Sequence, residues 1–181
     1  TLTDDASIRA IVLRIDSPGG DAFASDELWH AVLRATYAKP LVVSMGDVAA
    51  SGGYYIASAA DAIVAEPATL TGSIGVVGGK INLEGLYRQI GVSRDGVERG
   101  ARAGLLSESR GFSADEESTL RRGMLELFGT FIDRVAEGRN LSREAVERVA
   151  QGRVWSGAHA HRIGLVDRLG GPLEALAEAR A

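Results

Sequence analysis

Cysteine is absent from the 181 residues, which removes disulfides, thiolate metal sites and cysteine nucleophiles together. That absence does not decide the compartment, because a disulfide-free domain folds on either side of a membrane. Aromatic residues make up only 6% while glycine numbers 23, so the core must be built from small and branched aliphatic side chains. No apolar stretch reaches the ~18 residues of a membrane-spanning helix. A basic excess is missing too. Twenty Lys and Arg face 24 Asp and Glu, without long runs of one sign, and no nucleic-acid partner is expected. Lysine is scarce, occurring only as Lys39 and Lys80. What remains is an ordinary globular composition, 45% apolar and 24% charged, at a length that suits one domain with a sizeable core.

Residues 10–15 form an apolar, β-branched run closed by Asp16-Ser17-Pro18-Gly19-Gly20, which predicts a buried strand entering a glycine turn. Ser25-Asp26 opens a helix that ends before Lys39-Pro40. Residues 41–45 predict a second strand, and the turn at residues 46–53 leads into a helix over 55–59. Further strands are expected over 62–65 and 74–77. Strands alternating with helices at this spacing predict an α/β fold, with a mostly parallel sheet and flanking helices. A short helix over 84–90 and an extended piece over 92–98 follow. Ser113-Ala114-Asp115-Glu116 then reads as a capping box. It starts a long amphipathic helix to Gly138 that turns Leu120, Met124, Leu127, Phe128, Phe131 and Val135 inward. Ser142 caps another helix and 156–162 forms one more, making a helical C-terminal part. With no repeat or linker, a single domain over residues 1–181 is expected. The first core strand begins so close to Thr1 that no element fits before it, an open sheet edge there would need a cover, and the chain reads as part of a longer polypeptide.

Chemistry concentrates in three glycine-punctuated stretches. In Ala49-Ala50-Ser51-Gly52-Gly53-Tyr54-Tyr55 a serine stands at a strand-to-helix turn between residues small enough for close approach of a substrate. A helix N-terminus favours developing negative charge, so Ser51 suits a nucleophile and the Gly52 N–H an oxyanion donor. The same residues are equally compatible with a serine that merely caps its helix. Asp16-Ser17-Pro18-Gly19-Gly20 ends a strand, where its amides point into the crevice in which open α/β sheets bind ligands. Thr71-Gly72-Ser73-Ile74-Gly75-Val76 is the third stretch.

Taken in order, these stretches resemble the signal peptide peptidase A family, serine peptidases with the fold of Clp protease and the crotonases. Gly152-Arg153-Val154-Trp155-Ser156-Gly157 and Gly164-Leu165-Val166-Asp167 resemble the family's C-terminal pattern. The resemblance runs from about Ile11 to Leu169. It implies a serine–lysine dyad without cofactor or metal. Ser51 is the nucleophile, Ser73 orients the lysine, and Gly19 or Gly20 completes the oxyanion hole with Gly52. A lysine serves as base only when its pKa is drawn toward neutrality.

The lysine is where the sequence departs from the family. Single-domain members carry it in a Gly-Ala-x-Lys stretch, and here Gly100-Ala101-Arg102-Ala103 has alanine at that place. Arg102 cannot replace it, since a guanidinium stays protonated. Three readings stand. The chain is the C-terminal half of a long-form member, with the lysine supplied by an N-terminal domain of the same protein or by another copy. Alternatively Lys80 is the base, or the domain has lost its lysine and serves assembly only. A crotonase-type acyl-CoA enzyme is a further alternative, although the crevice offers no clear carboxylate. The resemblance also implies residual signal peptides as substrates, and proximity in sequence to the glycine turns suggests Val48, Tyr54, Leu70 and Val76 as lining for the side-chain pockets. It further implies a homo-oligomeric ring and a membrane anchor beyond the N-terminus, with the catalytic domain extracytoplasmic. Lys39 is expected to be structural, as are Asp16 and Asp47, which satisfy loop amides. His30, His159 and His161 are expected on helix surfaces, and Trp155 as a packing anchor.

Overall fold

Strand β2 (Leu41–Ala50) is the spine of the sheet in the computed structural model, which describes residues 1–181. β1 (Ile11–Ser17) runs parallel along it, from Ile11 opposite Leu41 to Ser17 opposite Ala49. A strand has two edges, and the other edge is divided. β3 (Ala62–Ala65) pairs in parallel with residues 42–44, and β4 (Leu70–Gly72) with residues 48–50. β6 (Arg168–Leu169) extends β3 in parallel, while β5 (Val154–Ser156) adds to β4 antiparallel. The helices are α1 (Ala22–Thr36), α2 (Gly52–Ala57), α3 (Glu84–Gln89), α4 (Ala114–Arg139), α5 (Arg143–Val149), α6 (Gly157–Arg162) and α7 (Pro172–Glu178). This is the expected α/β class of Clp–crotonase type, with a largely parallel sheet, flanking helices and a helical C-terminal part.

Successive residues of a strand face opposite sides, so a strand covered on both faces reads as continuously apolar. Leu41, Val42 and Val43 do so. Val43 and Met45 enter the main core with Trp29, Tyr54, Ile63, Ile74, Val135 and Leu165, while Val42 and Val64 pack under Ala175 of α7. Where β1 leaves β2 the register breaks: Ile15 faces Met45 but Ser17 faces Ala49. Asp16 fills this bulge and accepts a hydrogen bond from Val48 N at 3.1 Å. Gly46 opposite has no room for a side chain, since a Cβ there would come 2.6 Å from Asp16 Cγ. The bulge re-aims the end of β1 toward the turn after β2.

Several boundaries differ from expectation. Asp21, not Ser25-Asp26, caps α1, through Oδ1 accepting from Ala24 N. β2 continues through Gly46 to Ala50 because β4 and the end of β1 pair with its second half. The fourth strand is residues 70–72 rather than 74–77: Ser73 has φ 50, which turns the chain out of the sheet.

By its internal packing the chain divides into two compact units, Thr1–Val76 with Leu127–Ala181, and Val77–Glu126. In the second unit the anticipated capping box is formed: Ser113 Oγ accepts from Glu116 N at 3.2 Å and Glu116 Oε2 accepts from Ser113 N at 2.8 Å. No helix is long and apolar enough to cross a membrane.

Candidate active site

Ser51 follows the last residue of β2 with φ 52 and ψ −121, a backbone conformation that side-chain-bearing residues seldom adopt. Two hydrogen bonds hold it there. Its N–H donates to Gly72 O at 2.9 Å, and its carbonyl accepts from Tyr55 N at 2.8 Å. Its side chain makes no capping bond to α2, so the capping role left open by the sequence is not the one the hydroxyl plays.

The segment from Ser17 to Gly20 lies directly across this turn. A Cβ on Gly19 would come 2.6 Å from Gly52 N and 2.7 Å from the Cβ of Ser51, and one on Gly53 would come 2.7 Å from Ser17 O. Gly19 also has φ 105, accessible only to glycine without strain. A Cβ on Gly52 would come 2.5 Å from Ser25 Oγ of α1 and 3.1 Å from Gly20 N. The glycines of the two motifs are thus required by each other. Gly19 N donates to Ser17 Oγ at 3.1 Å, whereas the amides of Gly20 and Gly52 carry no hydrogen bond within the chain.

Ser73 is brought beside Ser51 by register. Ala50 faces Gly72 across β2 and β4, so each serine is the next residue on its own strand. Ser73 N donates to Arg153 O at 2.7 Å, and Gly152 N to Ile74 O at 2.9 Å. Trp155 closes the arrangement: a Cβ on Gly72 would come 2.7 Å from its Cδ1, and its Nε1 donates to Val149 O at 3.0 Å. The C-terminal motif therefore braces the turn that carries Ser73, and Trp155 is the packing anchor expected.

The short helix α2 is tethered by its two tyrosines. Tyr54 OH donates to Leu165 O at 2.9 Å from a fully buried position, and burial pushes its pKa up. It lies in the core, and the expectation that it lines a substrate pocket does not hold. Tyr55 OH donates to Asp26 Oδ1 at 2.7 Å, and burial together with Asp26 pushes its pKa up. Burial works to raise the Asp26 carboxyl, but the hydrogen bonds from Arg134 and Tyr55 outweigh it and hold it below its ordinary value.

Lys80 belongs to the second unit, where its Nζ donates to Gly111 O at 3.4 Å and stands 4.4 Å from the centre of the Phe112 ring. Lys39 donates to Leu2 O and Asp5 O at 2.6 and 2.5 Å, a tie for the N-terminal segment. Arg102 forms a two-pronged pair with Asp115, at 2.8 and 3.2 Å. His159 packs on Trp155, His161 Nδ1 lies 3.1 Å from Val166 O, and no three His, Asp or Glu converge to hold a metal. Sequence reasoning named Asp26 only as part of a helix start and Tyr55 only as part of the serine motif, gave neither a role at the site, and did not name Arg134. Arg134 lies 108 positions from Asp26, and no local pattern announces such a pairing.

Known proteins align with this arrangement along nearly its whole length. The model of peptidase family S49 matches residues 34–181. The chloroplastic serine protease SPPA of Arabidopsis thaliana is 44% identical over 181 residues, covering 99% of this chain and 27% of that protein. Protease 4 of Salmonella typhi is 43% identical, covering 97% of this chain and 28% of its own, and Protease 4 of Haemophilus influenzae is 39% identical, covering 97% and 29%. The chain thus spans under a third of the length of these relatives. By sequence across its whole extent, this chain belongs to peptidase family S49.

Proposed function

We propose that the chain carries the nucleophile and oxyanion hole of a serine peptidase, with Ser51 attacking the scissile carbonyl of an extended peptide. One observation carries the reading. A hydroxyl that caps nothing stands at a φ 52 turn beside two amides, of Gly20 and Gly52, that have no partner in the chain. Gly20 rather than Gly19 is the second donor, because the Gly19 amide is already engaged by Ser17 Oγ. The relatives named serine protease and protease support the same chemistry.

In this mechanism a neutral lysine takes the Ser51 proton as Oγ bonds to the carbonyl carbon, and the carbonyl oxygen gains negative charge between the two N–H groups. The lysine then protonates the leaving amine as the C–N bond breaks. Water, deprotonated by the same amine, releases the acyl group and restores the serine. Ser73 holds that lysine in place. Another domain of the full-length protein or another copy in a ring supplies the lysine, because residue 103 is alanine and Lys80 is occupied at Gly111 and Phe112. We assign residual signal peptides as substrates, met at a membrane surface where an anchor outside this chain holds the enzyme.

Labelling with a fluorophosphonate tests this. The isolated chain is expected to stay unlabelled, and the full-length protein to label at Ser51 and lose all turnover in Ser51→Ala. Rapid labelling of the isolated chain would overturn the shared dyad, and its loss in Lys80→Ala would identify Lys80 as the base. Full peptidase activity in Ser51→Ala would remove the nucleophile assignment.

A further inference from the structure

Helix α2 carries Ser51 and Gly52 at its start but has only six residues and no side-chain cap, so it does not hold its own orientation. Gly20, the other amide, leads directly into α1 through the Asp21 cap. The separation of the two donors is therefore set by how α1 lies against α2. The two helices meet at Gly52, where a single added methyl would strike Ser25 Oγ.

One polar cluster ties these helices together. Asp26 of α1 accepts at Oδ1 from Tyr55 OH of α2 at 2.7 Å and from Arg134 Nε of α4 at 2.9 Å. The Arg134 guanidinium lies 4.4 Å from the centre of the Trp29 ring, with its Nη2 2.9 Å from His30 Nε2 and its Nη1 3.8 Å from Glu137 Oε2. His30 Nε2 stands 3.5 Å from the second Asp26 oxygen. Trp29 Nε1 donates to Ser58 Oγ at 3.1 Å, and that hydroxyl donates to Tyr55 O at 2.7 Å, so the cluster returns to α2 a second time. Residues from three helices thus converge on one carboxylate, one turn beyond the nucleophile.

We infer that Asp26, Tyr55 and Arg134 are positioning residues for the reaction, acting through α1 and α2 to keep the amides of Gly20 and Gly52 converged on one oxygen. This rests on the peptidase reading above. None of the three touches substrate. Their effect falls on the transition state, where a donor displaced by less than 1 Å is felt, and little on peptide binding.

The test uses the full-length protein and a peptide ester. Tyr55→Phe and Asp26→Asn are expected to lower kcat about 10-fold or more with KM within about twofold, and to slow fluorophosphonate labelling of Ser51 in parallel. Arg134→Lys keeps the charge but loses the fixed fork, and is expected to show the same split. The Tyr55→Phe, Asp26→Asn double variant is expected to be no slower than the worse single one, as for groups acting as a unit. Unchanged kcat in the single variants, with Ser51→Ala inactive, overturns the inference and leaves the peptidase reading standing. A kcat loss that only matches the fraction of unfolded protein overturns it as well. Activity retained in Ser51→Ala removes both.

Discussion

A methyl group at position 19 would meet Gly52 N at 2.6 Å in a backbone with φ 105, whereas one at position 20 meets nothing within 4 Å. Two neighbouring glycines therefore differ in what they do. Gly19→Ala is expected to lower unfolding free energy by on the order of 3 kcal/mol, from overpacking and strain together. Gly20→Ala is expected to change it by no more than about 0.5 kcal/mol, as at an unconstrained surface site. Urea denaturation of the two variants makes the comparison. Equal losses would show that the loop yields to the added carbon and that the close approach is not needed. The sequence marked both glycines as special but could not rank them, because the distinction lies in what stands opposite each one. The same holds for Tyr54. Beside the serine it read as a pocket residue, yet α2 turns it into the core.

At the scale of elements, β4 is three residues long and ends in glycine, while the apolar, β-branched run at 74–77 looks far more strand-like. Pairing decided otherwise. Leu70, Thr71 and Gly72 find β2 on one side, 22 residues back in the chain, and β5 on the other, more than 80 residues ahead. β1, β3 and α4 were legible because their signals are local: an apolar run, or a serine three residues before a glutamate. Trp155→Phe removes the bond to Val149 O and is expected to cost about 1 kcal/mol of stability. The second unit offers a pH test. Arg110, then the Ser113 amide, hold the Glu116 carboxyl down at about 2. A depressed folded pKa stabilises above the unfolded value and is lost as pH falls, so this contribution disappears between about pH 5 and pH 2. Glu116→Gln is expected to flatten that part of the acid-unfolding profile followed by circular dichroism. An unaltered profile would show that the pairing contributes nothing to folding.

For the molecule as a whole, protection is uneven. β2 lies under two layers of core, while α3 buries none of its residues and positions 91–103 are all exposed. Limited trypsinolysis is expected to cut first at Arg94 or Arg99, and amides of β2 to exchange slowest. Initial cleavage within Thr1–Val76 would reverse that ranking. The α/β class was readable from the alternation of segments, and the division into two units was not, since it depends on which long-range contacts the middle of the chain fails to make. Ser51 follows directly on the deeply buried central strand, and its N–H bond to Gly72 O ties its backbone to the neighbouring strand. Under the shared dyad proposed above, a protein built on this plan would wait only for a proton acceptor, and a partner that brings one would complete the site with no rearrangement of this backbone.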